Sequence, residues 1–371
     1  MKTTMLAVLV TLLGATAARA EVTLADIIEN VRRNEAIYEN LDVVIHSEYD
    51  IGDRAPVKFG NGSAEVLSDN KRLRYVRQGG MFRLDRTGSS VDTERTVSGD
   101  RVRAYDGETT RGVDGNTVAN LIQGKQDDPD LVRPHMFLLR DTSHSMAPLS
   151  TYLSGTEAMK SHPEGFWTND HSLANTYEGE ADFMGLRCHR VRITTVLSSG
   201  DAHDSWELWL AEDRNYLPVR MLAFTFHVSA DTPVGDGAVT DLREIEPNVW
   251  FPFAADVTAY DLVVMKREGK RAIRWRRKYW VEDVSLDPHY DLAYFRDVTI
   301  PDGTAVYEIV DGEIASSYRQ GAPPTGGVSR PLKRWWLWAM NVVIGILVVA
   351  VWRLQCRRRR LANSSPPSQA E

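Results

Sequence analysis

The sequence predicts a mainly β protein, of the α+β type, in which hairpins outnumber helices and which ends in one transmembrane helix. Three observations carry this prediction. Apolar and polar residues alternate over many short stretches, as they do in half-buried strands. Turn pairs such as Gly79-Gly80 and Met184-Gly185 separate these stretches, and loops this short join antiparallel neighbours. Residues 335–352 form an uncharged run with tryptophans at both ends.

The N-terminus has the form of a secretory signal peptide. Lys2 precedes a short apolar run, and Ala18-Arg19-Ala20 supplies the small residues of a cleavage site. Residues 1–20 are therefore assigned to an export signal, and the chain that follows is expected outside the cytoplasm.

The run 335–352, WWLWAMNVVIGILVVAVW, has the composition of a transmembrane helix. At about 1.5 Å per residue it spans roughly 27 Å, enough to cross the apolar core of a bilayer. The arginine-rich tail, 353–371, predicts a cytoplasmic C-terminus. Residues 319–334 are rich in Gly, Pro and Ser and are interpreted as a linker. Residues 21–318 are then the exported domain.

Composition argues against nucleic-acid binding. The chain has 44 basic and 51 acidic residues and a formal net charge of −7. Because five of its arginines lie in the tail, the exported domain is more acidic than the whole chain, and an acidic surface repels nucleic acid. The two cysteines, Cys188 and Cys356, are assigned to opposite sides of the membrane, so no intrachain disulfide is expected.

One helix opens the exported domain. Thr23, with Asp26 three residues later, matches a helix-start pattern, and apolar residues then recur at helical spacing up to about Glu39. Residues 41–49 change to a period of two, which predicts the first strand.

Hairpins dominate the rest of the domain, with ten to twelve strands expected in all. Two short helices, at 131–140 and 148–153, form a predicted helical insertion. The predicted strands after the first are 71–78, 81–86, 101–105, 176–183, 187–196, 205–211, 219–226, 253–265 and 271–284.

No motif for a nucleophile, a metal site or a nucleotide site is present. Asp201, His203 and Asp204 are close in sequence, but their setting in SSGDAHD favours an exposed hairpin tip over a metal site. His189 alternates with Val191 along a strand and is expected to be a core histidine. We therefore predict no catalytic residue, no metal site and no cofactor.

Large apolar side chains on predicted strands indicate a binding function. The candidate ligand-binding residues are Tyr75, Phe82, Leu84, Trp206 and Trp275. A sheet with aromatic residues on one face must cover that face. Either the protein's own helices cover it, or the sheet curls around a cavity that a lipid or another apolar chain enters.

The order of these elements resembles the lipoprotein-carrier superfamily of periplasmic lipoprotein carriers and outer-membrane lipoprotein receptors. The resemblance spans about residues 21–310 and implies a curved antiparallel sheet, an unclosed half-barrel with an apolar cavity and no catalytic residue. The stretches that carry it are the N-terminal helix leading into Asn40-Leu41, the hairpin at 73–85, the step from 178 to 191, Leu208-Trp209-Leu210 before 217–220, and 295–306.

The resemblance and the topology together predict a membrane-anchored periplasmic binding module at the bacterial inner membrane. Its expected ligand is a lipid, a lipoprotein or another hydrophobic molecule such as an apolar peptide. The alternative is an envelope sensor or scaffold that binds a protein partner in the inner membrane, and a second alternative is a hydrolase with an unrecognised site. The short linker argues against free ferrying between membranes, because its fourteen residues 319–332 reach at most about 45 Å.

Overall fold

The computed structural model describes most of the exported domain. No helix among the described residues is long and apolar enough to cross a membrane. The predicted signal peptide (1–20), nearly all of the linker, the predicted transmembrane helix (335–352) and the tail lie outside the described residues. The described ranges are 22–52, 66–92, 96–115, 117–126, 132–140, 147–162 and 171–321.

One sheet of sixteen strands dominates the described part of the chain. The strands are β1 (Leu41–Ile51), β2 (Val66–Gln78), β3 (Met81–Asp92), β4 (Thr96–Ser98), β5 (Arg101–Tyr105), β6 (Thr109–Asp114), β7 (Val118–Gln123), β8 (His171–Phe183), β9 (Leu186–Leu197), β10 (Ala202–Ala211), β11 (Leu217–Thr225), β12 (Gly235–Glu246), β13 (Val249–Tyr260), β14 (Ile273–Ser285), β15 (Ala305–Val310) and β16 (Glu313–Arg319).

The sheet is open and almost entirely antiparallel. Its order is β16-β15-β7-β6-β5-β3-β2-β1-β14-β13-β12-β11-β10-β9-β8, with β4 paired to β3. Within the described residues β8 and β16 each pair with one strand only. The mainly β prediction is confirmed. The pair β7–β15 is parallel, contrary to the expected antiparallel sheet, because β15 reaches β7 through a long connection rather than a hairpin.

Six short helices accompany the sheet in the described part of the chain. They are α1 (Leu24–Glu35), α2 (Met136–Leu139), α3 (Leu149–Leu153), α4 (Thr156–Ser161), α5 (Leu262–Glu268) and α6 (Leu292–Arg296). The helix start at Thr23 and Asp26 is confirmed as a capping box. α1 ends at Glu35 rather than near Glu39 and continues as one 3-10 turn. The helical insertion is confirmed in α2 and α3 and includes α4.

The predicted strand 253–265 is wrong in its second half. β13 stops at Tyr260 because the side chain of Asp261 accepts hydrogen bonds from the backbone N–H groups of Val263 (2.9 Å) and Val264 (3.1 Å). This cap starts α5, and Gly269 at φ 67° ends it. Local capping therefore overrides the strand preference of the sequence Leu-Val-Val-Met.

Six described strands, β4, β6, β7, β12, β15 and β16, have no counterpart among the predicted ranges, so the expected count of ten to twelve is too low. β12 begins at Gly235 in a segment rich in Gly and Pro that the sequence suggests is a loop. β15 and β16 form the last hairpin, and β16 runs to Arg319. The predicted start of the linker at residue 319 is therefore wrong, because Arg319 still pairs with Ala305.

The main core lies between one face of the sheet and the helices α1 to α4. We call this face the inner face; it carries buried residues such as Val43, Leu208 and Phe251. α2 is buried on every side. Its Phe137 ring lies 5.9 Å from the ring of Phe251 and 5.7 Å from that of Tyr279. Helices therefore fill the central part of the inner face.

One carboxylate joins α1 to the helical insertion. Glu35 accepts hydrogen bonds from the backbone N–H of Leu149 (2.5 Å) and from the N–H (3.2 Å) and hydroxyl (2.5 Å) of Ser150. These N–H groups belong to the first turn of α3 and have no partner within that helix. Burial raises the pKa of the Glu35 carboxyl, while its hydrogen bonds and Arg133 act in the opposite direction.

We expect Glu35→Ala to lower the free energy of unfolding by about 2–3 kcal/mol, because buried donors at the start of α3 lose their acceptor. The measurement is urea denaturation followed by tryptophan fluorescence. Glu39→Ala is the matched control, since Glu39 is exposed and its loss should change stability by less than about 0.5 kcal/mol. Equal stability of the two variants would contradict this account of the insertion.

A second carboxylate fastens α6 to the opposite, outer face of the sheet. Asp106 accepts N–H hydrogen bonds from Glu108 (3.0 Å) and Thr109 (2.8 Å). It also forms ion pairs with Arg111 (2.7 Å) and, in α6, Arg296 (3.4 Å). Burial raises the pKa of Asp106, but these contacts outweigh burial and hold the pKa at about 2.

The Asp106 carboxylate is expected to make stability depend on pH. Because its folded pKa is depressed, the contribution is fully present above the unfolded value near 3.8 and is lost as the pH falls through about 2. Asp106→Asn should therefore cost about 2 kcal/mol at pH 7, and the gap to the wild type should narrow between pH 4 and pH 2. Urea melts over this range measure the gap; a constant gap would contradict the assignment.

Candidate functional site

Three of the five candidate ligand-binding residues lie together in the core. Tyr75 and Phe82 are each 4% exposed and Leu84 is fully buried. The ring centroids of Tyr75 and Phe82 are 6.4 Å apart, and Leu84 stands opposite Tyr75 in the β2–β3 register. The structure thus places these three residues in the packed interior. Their role as ligand contacts stays a prediction.

The other two candidates lie on one row that crosses five strands of the inner face. Each residue of the row pairs with the next one on the neighbouring strand, in the order Trp275, Ala259, Gly235, Ala223 and Trp206. Directly opposed residues point to the same side of a sheet, so two indoles flank three small residues. Four steps between strands separate the indoles by about 19 Å. We call the surface of these five residues the trough.

Each indole at the side of the trough packs against a neighbouring aromatic ring. The Trp275 ring centroid lies 5.9 Å from that of Tyr49, and the Arg277 guanidinium lies 6.0 Å from the Trp275 ring. The Trp206 centroid lies 6.5 Å from that of Tyr152 in α3. Both tryptophans remain half-buried. The sides of the trough are therefore supported by the domain and are still partly open.

The helical cover reaches the sheet one row away from the trough. A Cβ atom at Gly237 would lie 3.3 Å from Cδ2 of Leu138 in α2, so glycine allows this close approach. A Cβ atom at Gly235 would meet Ala223 at 3.3 Å and the Thr258 carbonyl at 3.5 Å. Among the described residues, no helix atom lies within 4 Å of that position. α2 therefore marks one boundary of the trough.

A polar cleft of about 450 Å³ lies between the C-terminal end of α1 and the helical insertion. We call it the cleft. Arg77 enters it from the end of β2, on the inner face, where it stands opposite Leu41 and Phe82. The acidic and basic side chains and the histidines at its walls are Arg32, Glu35, Glu39, Arg77, Arg133, His135 and His162.

The histidine of the core is confirmed as buried. His189 has no exposed surface, and its Nδ1 lies 3.0 Å from the hydroxyl of Tyr177. The ring stacks on Tyr216 at 5.7 Å, and Nε2 lies 3.5 Å from Glu212. This arrangement leaves no face of the imidazole for a substrate. Among the described residues no group of three His, Cys, Asp or Glu is placed to hold a metal ion.

Sequence reasoning found the two tryptophans of the trough but not the surface between them. Gly235 lies in the strand that was not predicted, and Ala223 and Ala259 carry no chemical signal of their own. Arg77 was also missed. Its alternation with Leu73 and Tyr75 in β2, which puts a charged residue on the apolar face, is the signal that could have found it.

No protein-family model and no curated protein matches the sequence. Solved structures similar to this chain include a putative outer-membrane lipoprotein-sorting protein domain from Vibrio parahaemolyticus, at 8% identity and TM-score 0.37, covering 74% of this chain and 97% of that one. A DUF1329 family protein from Desulfovibrio piger matches at 11% identity and TM-score 0.36, and the match covers 74% of this chain and 98% of that one. The lipoprotein LppX from Mycobacterium tuberculosis matches at 10% identity and TM-score 0.24, covering 71% and 99%.

One of these structures, the putative lipoprotein-sorting domain, is of the kind that the sequence pattern resembles. At such low identities and TM-scores the likeness says nothing about the function of this chain.

Proposed function

We propose that the protein is a non-catalytic binding module of the bacterial envelope that holds an apolar chain, such as the acyl chain of a lipid or lipoprotein, in the trough. The observation that carries this proposal is the row of three small residues between Trp206 and Trp275. Glycine and alanine place no large side chain between the two indoles, Ala223 and Ala259 are half-buried and Gly235 is buried, and the described part of α2 packs one row away. An apolar chain can then bind without displacing α2.

The expected affinity is modest. A chain of fourteen carbons gains at most about 10 kcal/mol when it is fully buried, at roughly 0.8 kcal/mol per methylene. The trough is half-open, and immobilising a flexible chain costs several kcal/mol more. A dissociation constant near micromolar is therefore the tightest expected. Such an affinity suits a protein that holds its ligand and then releases it.

In this proposal the domain stays above the outer face of the inner membrane. The sequence supports the location through the signal-peptide pattern at 1–20, the apolar run at 335–352 and the basic tail at 353–371. The linker beyond β16 is short, so the module holds a ligand or hands it to a neighbour rather than carrying it across the envelope.

Filling the trough should abolish binding. We expect Ala223→Phe to weaken binding of a fluorescent fatty-acyl probe at least about tenfold, because the phenyl ring takes the space between the indoles. The measurement is a titration of the full-length protein in nanodiscs of neutral lipid, in which all variants present the same bilayer background. Ala254→Phe is the matched control, since Ala254 is half-buried on the outer face, opposite Trp280.

The control should bind as the wild type does. Trp275→Ala removes one side of the trough and should weaken binding less than Ala223→Phe does, because the contact area at Trp206 remains. If the folded wild-type protein shows no saturable binding up to about a hundred micromolar, or if Ala223→Phe binds as well as Ala254→Phe, the trough is not the site. The protein-partner alternative would then be favoured.

A further inference from the structure

The cleft is separate from the trough. Arg77 of β2 pairs with Leu41, the first residue of β1. The trough lies level with Ile51, the last residue of β1, which pairs with Trp275. Ten residues of strand separate the two levels by roughly 33 Å. A site in the cleft is therefore independent of the proposed apolar site, and its ligand need not be the same molecule.

The arginines of the cleft differ in how their charges are compensated. Arg32 forms an ion pair with Glu29 (2.7 Å) on α1. Arg133 lies close enough to Glu35 to favour the charged form of that carboxyl. Glu35 itself is engaged by the N-terminal turn of α3. The Glu35 carboxylate therefore already accepts hydrogen bonds from backbone N–H groups, and it is a poor partner for a further cation in the cleft.

Arg77 is different. Its guanidinium makes no hydrogen bond and no ion pair with any described residue, although it is half-buried and lines the cleft. Another acidic residue of the cleft, Glu39, is exposed and forms no ion pair with Arg77. A guanidinium held in a partly desolvated cavity interacts more strongly with an anion than one in open water. Its planar set of donors matches a phosphate or carboxylate group.

We propose that the cleft binds an anionic group, a phosphate or a carboxylate, with Arg77 as its principal counter-charge. Arg32, in α1, also lines the cleft and adds positive charge at longer range. The cleft volume of about 450 Å³ admits a group larger than an inorganic ion, such as the polar part of a phosphate monoester. Because the domain as a whole is acidic, binding should be modest and should weaken as the salt concentration rises.

The anionic group could belong to a soluble molecule or to a membrane lipid, and two experiments distinguish these sources. In the first, glycerol phosphate is titrated calorimetrically into the full-length protein in neutral detergent. In the second, native mass spectrometry measures binding of dioleoyl phosphatidic acid and of dioleoylglycerol, which has the same chains without the phosphate. Each experiment compares the wild type with Arg77→Gln and Arg33→Gln.

Arg33→Gln is the matched control. Arg33 is exposed on α1 beside Arg32, does not line the cleft, and its replacement removes the same charge. The tail arginines attract anionic lipid equally in all variants, so the difference between the two variants measures the cleft alone. Arg77→Lys tests the geometry, because it keeps the charge, is easily accommodated in a folded protein, and loses the planar fork of donors.

We expect Arg77→Gln to weaken binding of at least one phosphate-bearing probe about tenfold, Arg77→Lys to weaken it less, and Arg33→Gln to leave it unchanged. If binding of glycerol phosphate depends on Arg77, the ligand class is a soluble ester. If only binding of phosphatidic acid depends on Arg77, the ligand class is a lipid headgroup. Either result supports the site. If neither probe distinguishes Arg77→Gln from Arg33→Gln, or if phosphatidic acid and dioleoylglycerol bind alike and glycerol phosphate does not bind, the proposal is overturned.

Discussion

The approach of α2 to β12 is the constraint on which the inner face depends. A Cβ atom at Gly237 would lie only 3.3 Å from Cδ2 of Leu138, a tight contact that glycine relieves where the helix lies against the sheet. The close approach brings Phe137 against Phe251 and seals the centre of the core. Because α2 has only four residues, it covers one part of a very wide sheet and leaves the row beside it to other side chains.

The inner face of the sheet is therefore packed differently in two places. Around Tyr75 and Phe82 large side chains are almost completely buried and pack against one another. Along the row from Trp206 to Trp275 the middle positions are occupied by small residues, and no atom of a described helix lies within 4 Å of a Cβ atom placed at Gly235. The same sheet is thus a self-filled core at one end and a partly open apolar surface at the other. The binding proposal concerns the second part only.

The sequence predicted the periodic elements well and the glycine-containing ones poorly. The capping box at Thr23, the hairpin around Gly79-Gly80 and the helical insertion all follow from local patterns, and the structure confirms them. β12 was not predicted because Gly235 and Gly237 lower its strand propensity. These same glycines lie in the trough and under α2. The neighbour relations across five strands depend on register, which no local pattern specifies.

The central claim is that an apolar chain lies on the inner face between the two tryptophans. The most direct measurement is cross-linking of a photoreactive fatty acid to the full-length protein, followed by mass-spectrometric mapping of the adducts. The account predicts adducts concentrated on the peptides that carry Ala223, Gly235 and Ala259, in competition with an unlabelled fatty acid. Adducts confined to residues 335–352 or to the outer face, with none on these three strands, would contradict it.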